Sequence, residues 1–370
     1  MNVMILRKFK LMTLLTFFIL LPLQSYAEIN LPPLPEPVTS NAVASVSING
    51  KQTILSFSGL SADKKITSMH NKAWKLEINT DGSKPEESAN WQSITPLPSL
   101  QEPLGRLASS AVGINDSVYI FGGYNLGRSR SFDTAPGVYK YHVPTDSYAQ
   151  LEPMPVSVND ALTLVYRDRY IYVISGWQND GAINLVQVYD TLKNEWFQAS
   201  PFIGTAVFGH AGGIVDNVIM VCDGAKITAQ FAANKTIDQE TNCYLGEINV
   251  TRPDKINWVQ WVHPTDQGRF RMAASGDIEN DRIIFIGGTN APHDVAGKAI
   301  NSHSQSDKPL TPNNEIWSYY ITKRSWQVTN SKHATMDHRG LLNINGNWVT
   351  IGGMLDKQAV TNKVITHIGG

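Results

Sequence analysis

Six times along this 370-residue chain an apolar, β-branched run ends in a glycine pair or a close variant of one. The pairs are Ser58-Gly59, Gly122-Gly123, Ser175-Gly176, Asp223-Gly224, Gly287-Gly288 and Gly352-Gly353, at successive spacings of 64, 53, 48, 64 and 65 residues. A unit that recurs every few tens of residues builds a circular or stacked array rather than one mixed core. An aromatic strand follows most pairs: Trp74-Lys75-Leu76, Val138-Tyr139-Lys140-Tyr141, Val188-Tyr189-Asp190, Cys243-Tyr244-Leu245 and Ile316-Trp317-Ser318-Tyr319. A closing aromatic comes next, at Trp91, Tyr148, Trp196, Trp258 and Trp326. Ahead of the pairs lie hairpins, clearest at Ile114-Asn115-Asp116-Ser117 and Ile344-Asn345-Gly346-Asn347, where Asn-Asp and Asn-Gly supply the turn.

In this register the chain resembles the kelch repeat over essentially all of residues 28–370. The resemblance implies an all-β fold, a six-bladed kelch β-propeller in which each repeat is one four-stranded blade. The residue types agree with it. Leu107-Ala108-Ser109-Ser110-Ala111-Val112 is small enough to line a crowded axis, and Arg282-Ile283-Ile284-Phe285-Ile286 is bulky enough to fill the space between blades. The last repeat stops at a third strand, Val364-Ile365-Thr366-His367-Ile368. Ile29-Asn30-Leu31-Pro32-Pro33-Leu34-Pro35 is comparable with Ile94-Thr95-Pro96-Leu97-Pro98, and is expected to supply the missing outer strand and close the ring.

The first segment reads as an address. Arg7, Lys8 and Lys10 precede an apolar core, Leu11 to Leu23, and Ser25-Tyr26-Ala27 supplies small residues for cleavage before Glu28. Residues 1–27 are therefore expected to be a signal peptide and residues 28–370 an exported propeller, periplasmic or secreted, without membrane insertion after cleavage. The apolar run is short of the roughly 18 residues that a spanning helix needs. Without the leader, 28 basic residues face 32 acidic ones, and nothing in that balance points to a nucleic-acid partner. Export makes Cys222 and Cys243 disulfide candidates. They fall at the same end of neighbouring antiparallel strands, so a bond would clamp the 20 residues between them; the alternative is two buried thiols.

In a blade, strand one begins and strand two ends on the same face of the ring. The loops on that face are long and polar, which makes it the expected binding face. The starts of strand one carry Arg106, Asn159 with Asp160, His210, Arg269 with Arg271, and Asp337-His338-Arg339. The loops add Arg128, Arg130, Asp133, Trp177, Lys226, Asn290, His293 and Asp294. Arginine forks suit carboxylates and polyhydroxylated ligands, and a tryptophan can stack on a sugar. The plainer reading is that these groups bond neighbouring blades and exposed backbone.

Among exported six-bladed kelch proteins, the chain resembles the bacterial sialic acid mutarotase (N-acetylneuraminate epimerase) family in its signal peptide, blade count and arginine-rich mouth. That resemblance implies an isomerase of carbohydrate metabolism, needing no cofactor, that interconverts the anomers of a free sugar acid. One group takes the proton of the anomeric hydroxyl, another protonates the ring oxygen, and an arginine holds the carboxylate. On this reading His338, Asp337 and Asp223 are the catalytic candidates. Arg106, Asp160, Trp177, His210, Lys226, Arg269, Arg271 and Arg339 are the ligand-binding ones. The family's Gly-Glu-Ala-Lys is matched here by Asp223-Gly224-Ala225-Lys226, where Lys226 fits and the Glu is missing, and no Arg lies between Lys226 and Cys243. Two other classes stay open. One is a non-catalytic propeller that binds a glycan or a protein. The other is a copper-radical oxidase, which needs a Tyr crosslinked to a Cys that these two cysteines supply poorly. No metal site is expected, because His210, His338 and a carboxylate lack local ligand spacing. His-Glu-x-x-His, Gly-x-Ser-x-Gly, Walker and Rossmann motifs are absent.

Overall fold

The computed structural model describes residues 29–79, 89–99, 104–126, 132–231, 234–294, 297–300 and 310–367. The expected signal peptide, Arg128, Arg130 and the side chain of Asp133 lie outside the described residues. Six antiparallel sheets follow one another in chain order, each numbered from its innermost strand outward. Blade one is Ala42–Ile48, Lys51–Ser61, Met69–Asn79 and Gln92–Ile94, and blade two is Leu107–Ile114, Ser117–Leu126, Val138–His142 and Ser147–Leu151. Blade three is Leu162–Tyr166, Tyr170–Ile174, Val186–Asp190 and Glu195–Gln198, and blade four is Ala211–Val215, Val218–Cys222, Cys243–Asn249 and Arg252–Trp261. Blade five is Ala273–Asp277, Arg282–Ile286, Asn313–Tyr320 and Ser325–Thr335. Blade six has three ladder strands, Leu342–Ile344, Asn347–Ile351 and Val364–His367. The chain is a six-bladed β-propeller.

Its apolar interior is divided among the interfaces between blades. Leu55, Phe57, Ile120 and Tyr141 fill the space between blades one and two. Tyr172, Val188, Ile219 and Val221 do the same between blades three and four, and Ile284, Ile316, Leu341 and Trp348 between five and six. Bulky second strands are therefore sandwiched on both faces, as their near-continuous apolar runs demand.

The second glycine of each pair is required by close approach. At Gly224 φ is +96°, and an added Cβ would stand 2.8 Å from the Phe208 carbonyl oxygen, where the chain enters the same blade's inner strand. Only glycine combines that dihedral with that contact.

Closure happens where the repeat count places it. The Leu34 amide donates to the Asn362 carbonyl at 2.8 Å, Asn362 Nδ2 returns a bond to the Leu34 carbonyl, and Thr366 Oγ1 donates to the Ile29 carbonyl. Leu31 and Leu34 pack with Ile344, Val349 and Ile351 of blade six. The segment takes the outer place without a regular ladder, because Pro32, Pro33 and Pro35 carry no N–H to donate. Cys222 and Cys243 are directly opposite in the ladder and form a disulfide.

Candidate functional site

The long-loop face begins with a ring that local sequence does not announce. At or just before the start of each inner strand one residue adopts a left-handed backbone: Ser40 (φ +57°), Ala108 (+55°), Asp160 (+49°), Gly209 (+60°), Arg271 (+56°) and Asp337 (+64°). Their peptides pass a hydrogen bond from blade to blade. Ala108 N–H donates to Ser40 O, Asp160 to Ala108, Gly209 to Asp160, and Arg271 to Gly209, at 3.3, 3.0, 2.9 and 2.8 Å. His338 N–H, one residue late, donates to Arg271 O at 3.3 Å. The unusual dihedral is the cost of turning each carbonyl along the circle.

Four charged side chains rise from this ring and meet on the axis. Arg271 donates to Asp160 Oδ2 at 2.6 Å and to Asp337 Oδ1 at 2.9 Å. Arg339 Nη1 reaches Asp337 Oδ1 at 3.2 Å, and its Nε stands 2.8 Å from Asp160 Oδ1 as an ion pair. Thr39 Oγ1 donates to Asp337, and Arg339 Nη2 to Ser40 Oγ at 3.1 Å. The side chains of all four charged residues are 2–5 % exposed. Two cations and two anions sum to zero, and together they close the axis at the long-loop end. Burial works against ionising Asp337, but Arg339 and Arg271 hold its carboxyl well below the usual carboxylate range. The same balance, burial against Asp160 and Asp337, holds Arg271 above its ordinary value. Tyr124 is packed against this layer, and burial pushes its phenol up.

Three histidines surround the layer as neutral rings. Burial lowers His338 and His210 to about 4, and burial together with Arg271 lowers His293 to about 4. His338 Nε2 is 2.5 Å from Thr335 Oγ1, and His210 Nε2 donates to the Ile174 carbonyl at 3.0 Å. His293 Nδ1 donates to the Asp294 carbonyl at 2.8 Å, which leaves Nε2 as an acceptor. That atom is buried without a hydrogen-bond partner.

The other sequence candidates stand apart from the axis. Arg106 is spent on the Gly122 and Gly137 carbonyls, at 3.2 and 2.9 Å, and lies 5.0 Å from the Tyr139 ring. Arg269 pairs with Glu315 at 3.0 Å. Asp223 has no path to a ligand: one oxygen accepts from the Arg269 amide and the other is 2.8 Å from His263 Nε2. It occupies the first-glycine position, as Ser58 and Ser175 do, and all three side chains tie one blade to the start of the next. Its catalytic assignment gives way to this bridging role.

Lys226 sits in a hairpin, Ala225–Phe231 with Asn234–Gln239, rather than in an irregular loop. Ile237 turns toward Phe208 and Phe270, and Gln239 bonds the Thr289 carbonyl. Lys226 pairs on the other side with Glu240 at 3.2 Å, and Glu240 is tied through Asn242 to Gln260 of the outer strand. Glu240 is thus the carboxylate beside Lys226, brought from 14 residues away where the sequence motif lacks one. Trp177 begins an arc of edge-to-face rings: Trp177–Phe208 at 4.9 Å, Phe208–Phe270 at 5.6 Å and Phe270–His293 at 5.3 Å. Trp177 is the half-buried end of that arc, with the Lys235 ammonium 5.1 Å from its ring.

Below the charged layer the axis opens into a cavity of 390 Å³, walled by the inner strands and reaching Val165, Ile214 and Asn343 at the face of the short hairpins. Among the described residues no group of three or more His, Cys, Asp or Glu side chains is arranged to hold a metal ion.

The six-bladed propeller is similar in sequence to kelch-repeat proteins. No protein-family model matches it. A kelch repeat-containing protein of Dictyostelium discoideum is 37% identical over 86 residues, 22% of this chain and 12% of that protein. Kelch-like protein 33 of Homo sapiens is 22% identical over 214 residues, 55% of this chain and 39% of its own length. The chain therefore spans well under half of these curated relatives. The solved structure of YjhT superposes with a TM-score of 0.67, covering 91% of this chain and 96% of that one at 15% identity, a likeness of fold.

Proposed function

We propose that the protein is an exported propeller that binds a sugar-class ligand on its long-loop face without turning it over. The observation that carries this reading is that the protein itself already engages the arginines of the mouth. Arg271 and Arg339 are neutralised by Asp160 and Asp337, Arg269 is paired with Glu315, and Arg106 is spent on two carbonyls. Each of the four already has protein partners that a substrate carboxylate would have to displace, and stripping a buried arginine of its carboxylate costs about 3–5 kcal/mol. What the face offers instead is the half-buried Trp177 ring with the Lys235 ammonium over it, a pair that can hold a sugar through its hydroxyls or one negative charge. The Cys222–Cys243 disulfide is compatible with an exported location.

One observation favours a second reading, a sugar-acid mutarotase. The unpartnered His293 Nε2, a neutral acceptor beside the charged layer, has the protonation state of a base. The two readings separate in one experiment, NMR exchange between the anomers of N-acetylneuraminate with a glycan panel run in parallel. Binding without acceleration of exchange supports the binding propeller. Acceleration that is lost in His293→Gln overturns it in favour of the enzyme.

A further inference from the structure

The axial cavity is a second concave space, on the other side of the charged layer from the long loops. Its 390 Å³ lies within the roughly 300–1,000 Å³ of small-molecule sites. Three features define what it can hold.

The first is its backbone. Each inner strand is paired on one side only, to the second strand of its own blade, so its free edge turns N–H and C=O groups toward the axis. In blade six this exposure is larger. In blade four the ladder begins two residues after the left-handed Gly209, with Ala211 opposite Cys222, whereas in blade six it begins five residues after Asp337, with Leu342 opposite Val349. The amides of Arg339 and Gly340 therefore stand at the closed end of the cavity outside any ladder, and neither donates to a backbone carbonyl.

The second feature is charge. The ionic side chains on the wall are Asp160 and Arg339, which neutralise each other at 2.8 Å. An ion entering there would find no counter-charge to offset its dehydration. The third is the mixed surface between. Half-buried Ser45, Thr163 and Ser275 bring hydroxyls, while Ala161, Leu162 and Ile214 bring apolar area. A purely apolar guest would strand the amides and hydroxyls, and a guest with both donors and acceptors on a compact apolar frame satisfies them.

We propose that the axial cavity binds one small uncharged polyhydroxylated molecule, a monosaccharide or cyclic polyol, admitted from the face of the short hairpins. The charged layer bars the opposite end. This site is separate from the loop-face platform at Trp177, and neither needs the other.

The test is calorimetric titration of the full chain with D-glucose, N-acetyl-D-glucosamine and myo-inositol, with N-acetylneuraminate as the charged comparison. Two variants fill the cavity from its wall and its open end, Thr163→Phe and Asn343→Trp; Asn343 is exposed, so the second keeps the test alive if the first fails to fold. At least one neutral probe should bind Trp177→Ala, in which the loop-face platform is removed, and that binding should weaken tenfold or more when either filling variant that folds is added. N-acetylneuraminate should not compete with it. Absence of binding by every neutral probe, which would leave a channel holding only water, overturns the proposal. So does binding to Trp177→Ala that survives both filling variants, or binding that disappears altogether in Trp177→Ala, in which case the sugar sits on the loop face and only the channel site is refuted.

Discussion

Arg271 of blade five donates to Asp160 of blade three at 2.6 Å across the axis, although 111 residues separate them in sequence. This bond and its three companions make the mouth of the propeller a structural keystone: charges from blades three, five and six are fastened to one another and to Thr39 and Ser40 ahead of blade one. A ring built from six independent interfaces gains from a contact that joins non-neighbouring blades directly.

The glycine pairs carry a prediction about backbone rather than side chains. Gly224→Ala must place a methyl 2.8 Å from the Phe208 carbonyl oxygen and accept φ +96°. Gly50→Ala accepts φ +77° with nothing within 4 Å. Urea unfolding should show a loss of about 1 kcal/mol for Gly50→Ala, the dihedral term alone, and a distinctly larger loss for Gly224→Ala. Equal losses would mean that the close approach does not select the glycine.

The buried histidines predict acid lability. His210, His293 and His338 are held down to about 4 and His367 to about 3, burial being the leading cause in each. As pH falls below the ordinary value of 6.5 the unfolded chain takes up protons that the folded state refuses, so stability drops between about 6.5 and 4. Asp223 opposes this. Burial, against His263 and the Arg269 amide, raises it to about 6, so its folded form holds a proton between 3.8 and 6 and its term weakens as pH rises through that window. Four groups outweigh one. The urea midpoint should be lower at pH 5 than at pH 7, and His210→Gln should flatten the dependence by about one proton; a midpoint unchanged between the two would refute the assignment.

Closure of the ring rests on a proline-rich segment with few hydrogen bonds, so its apolar anchors should dominate. Leu34 is 1% exposed. Leu34→Ala should cost about 2–5 kcal/mol, and removal of residues 29–37 should lower the melting temperature by many degrees. A melting curve that ignores both changes would show that blade six closes without this segment.

Much of the fold is legible in the sequence because a repeat carries its information locally. The glycine pairs, the Asn115-Asp116 and Asn345-Gly346 turns and the third-strand aromatics all fall where one blade's own geometry puts them. The mouth is less legible. Asp160 and Asp337 occupy equivalent places in their blades, but that they meet Arg271 and Arg339 across an axis depends on all six blades at once. The residues beside Asp223 and Lys226 illustrate the same limit. His263 and Glu240 lie 40 and 14 residues away, and nothing in their own neighbourhoods marks them as partners.

The central claim is that the mouth arginines hold the propeller together rather than receive a ligand. Arg271→Ala tests it most directly when urea unfolding and titration with N-acetylneuraminate are made on the same sample. A structural keystone predicts a loss of about 3–5 kcal/mol in stability, because Asp160 and Asp337 are left as buried, under-compensated charges, with the affinity of any ligand that still binds unchanged. A variant as stable as the parent whose affinity for the sugar acid has fallen tenfold or more would contradict it.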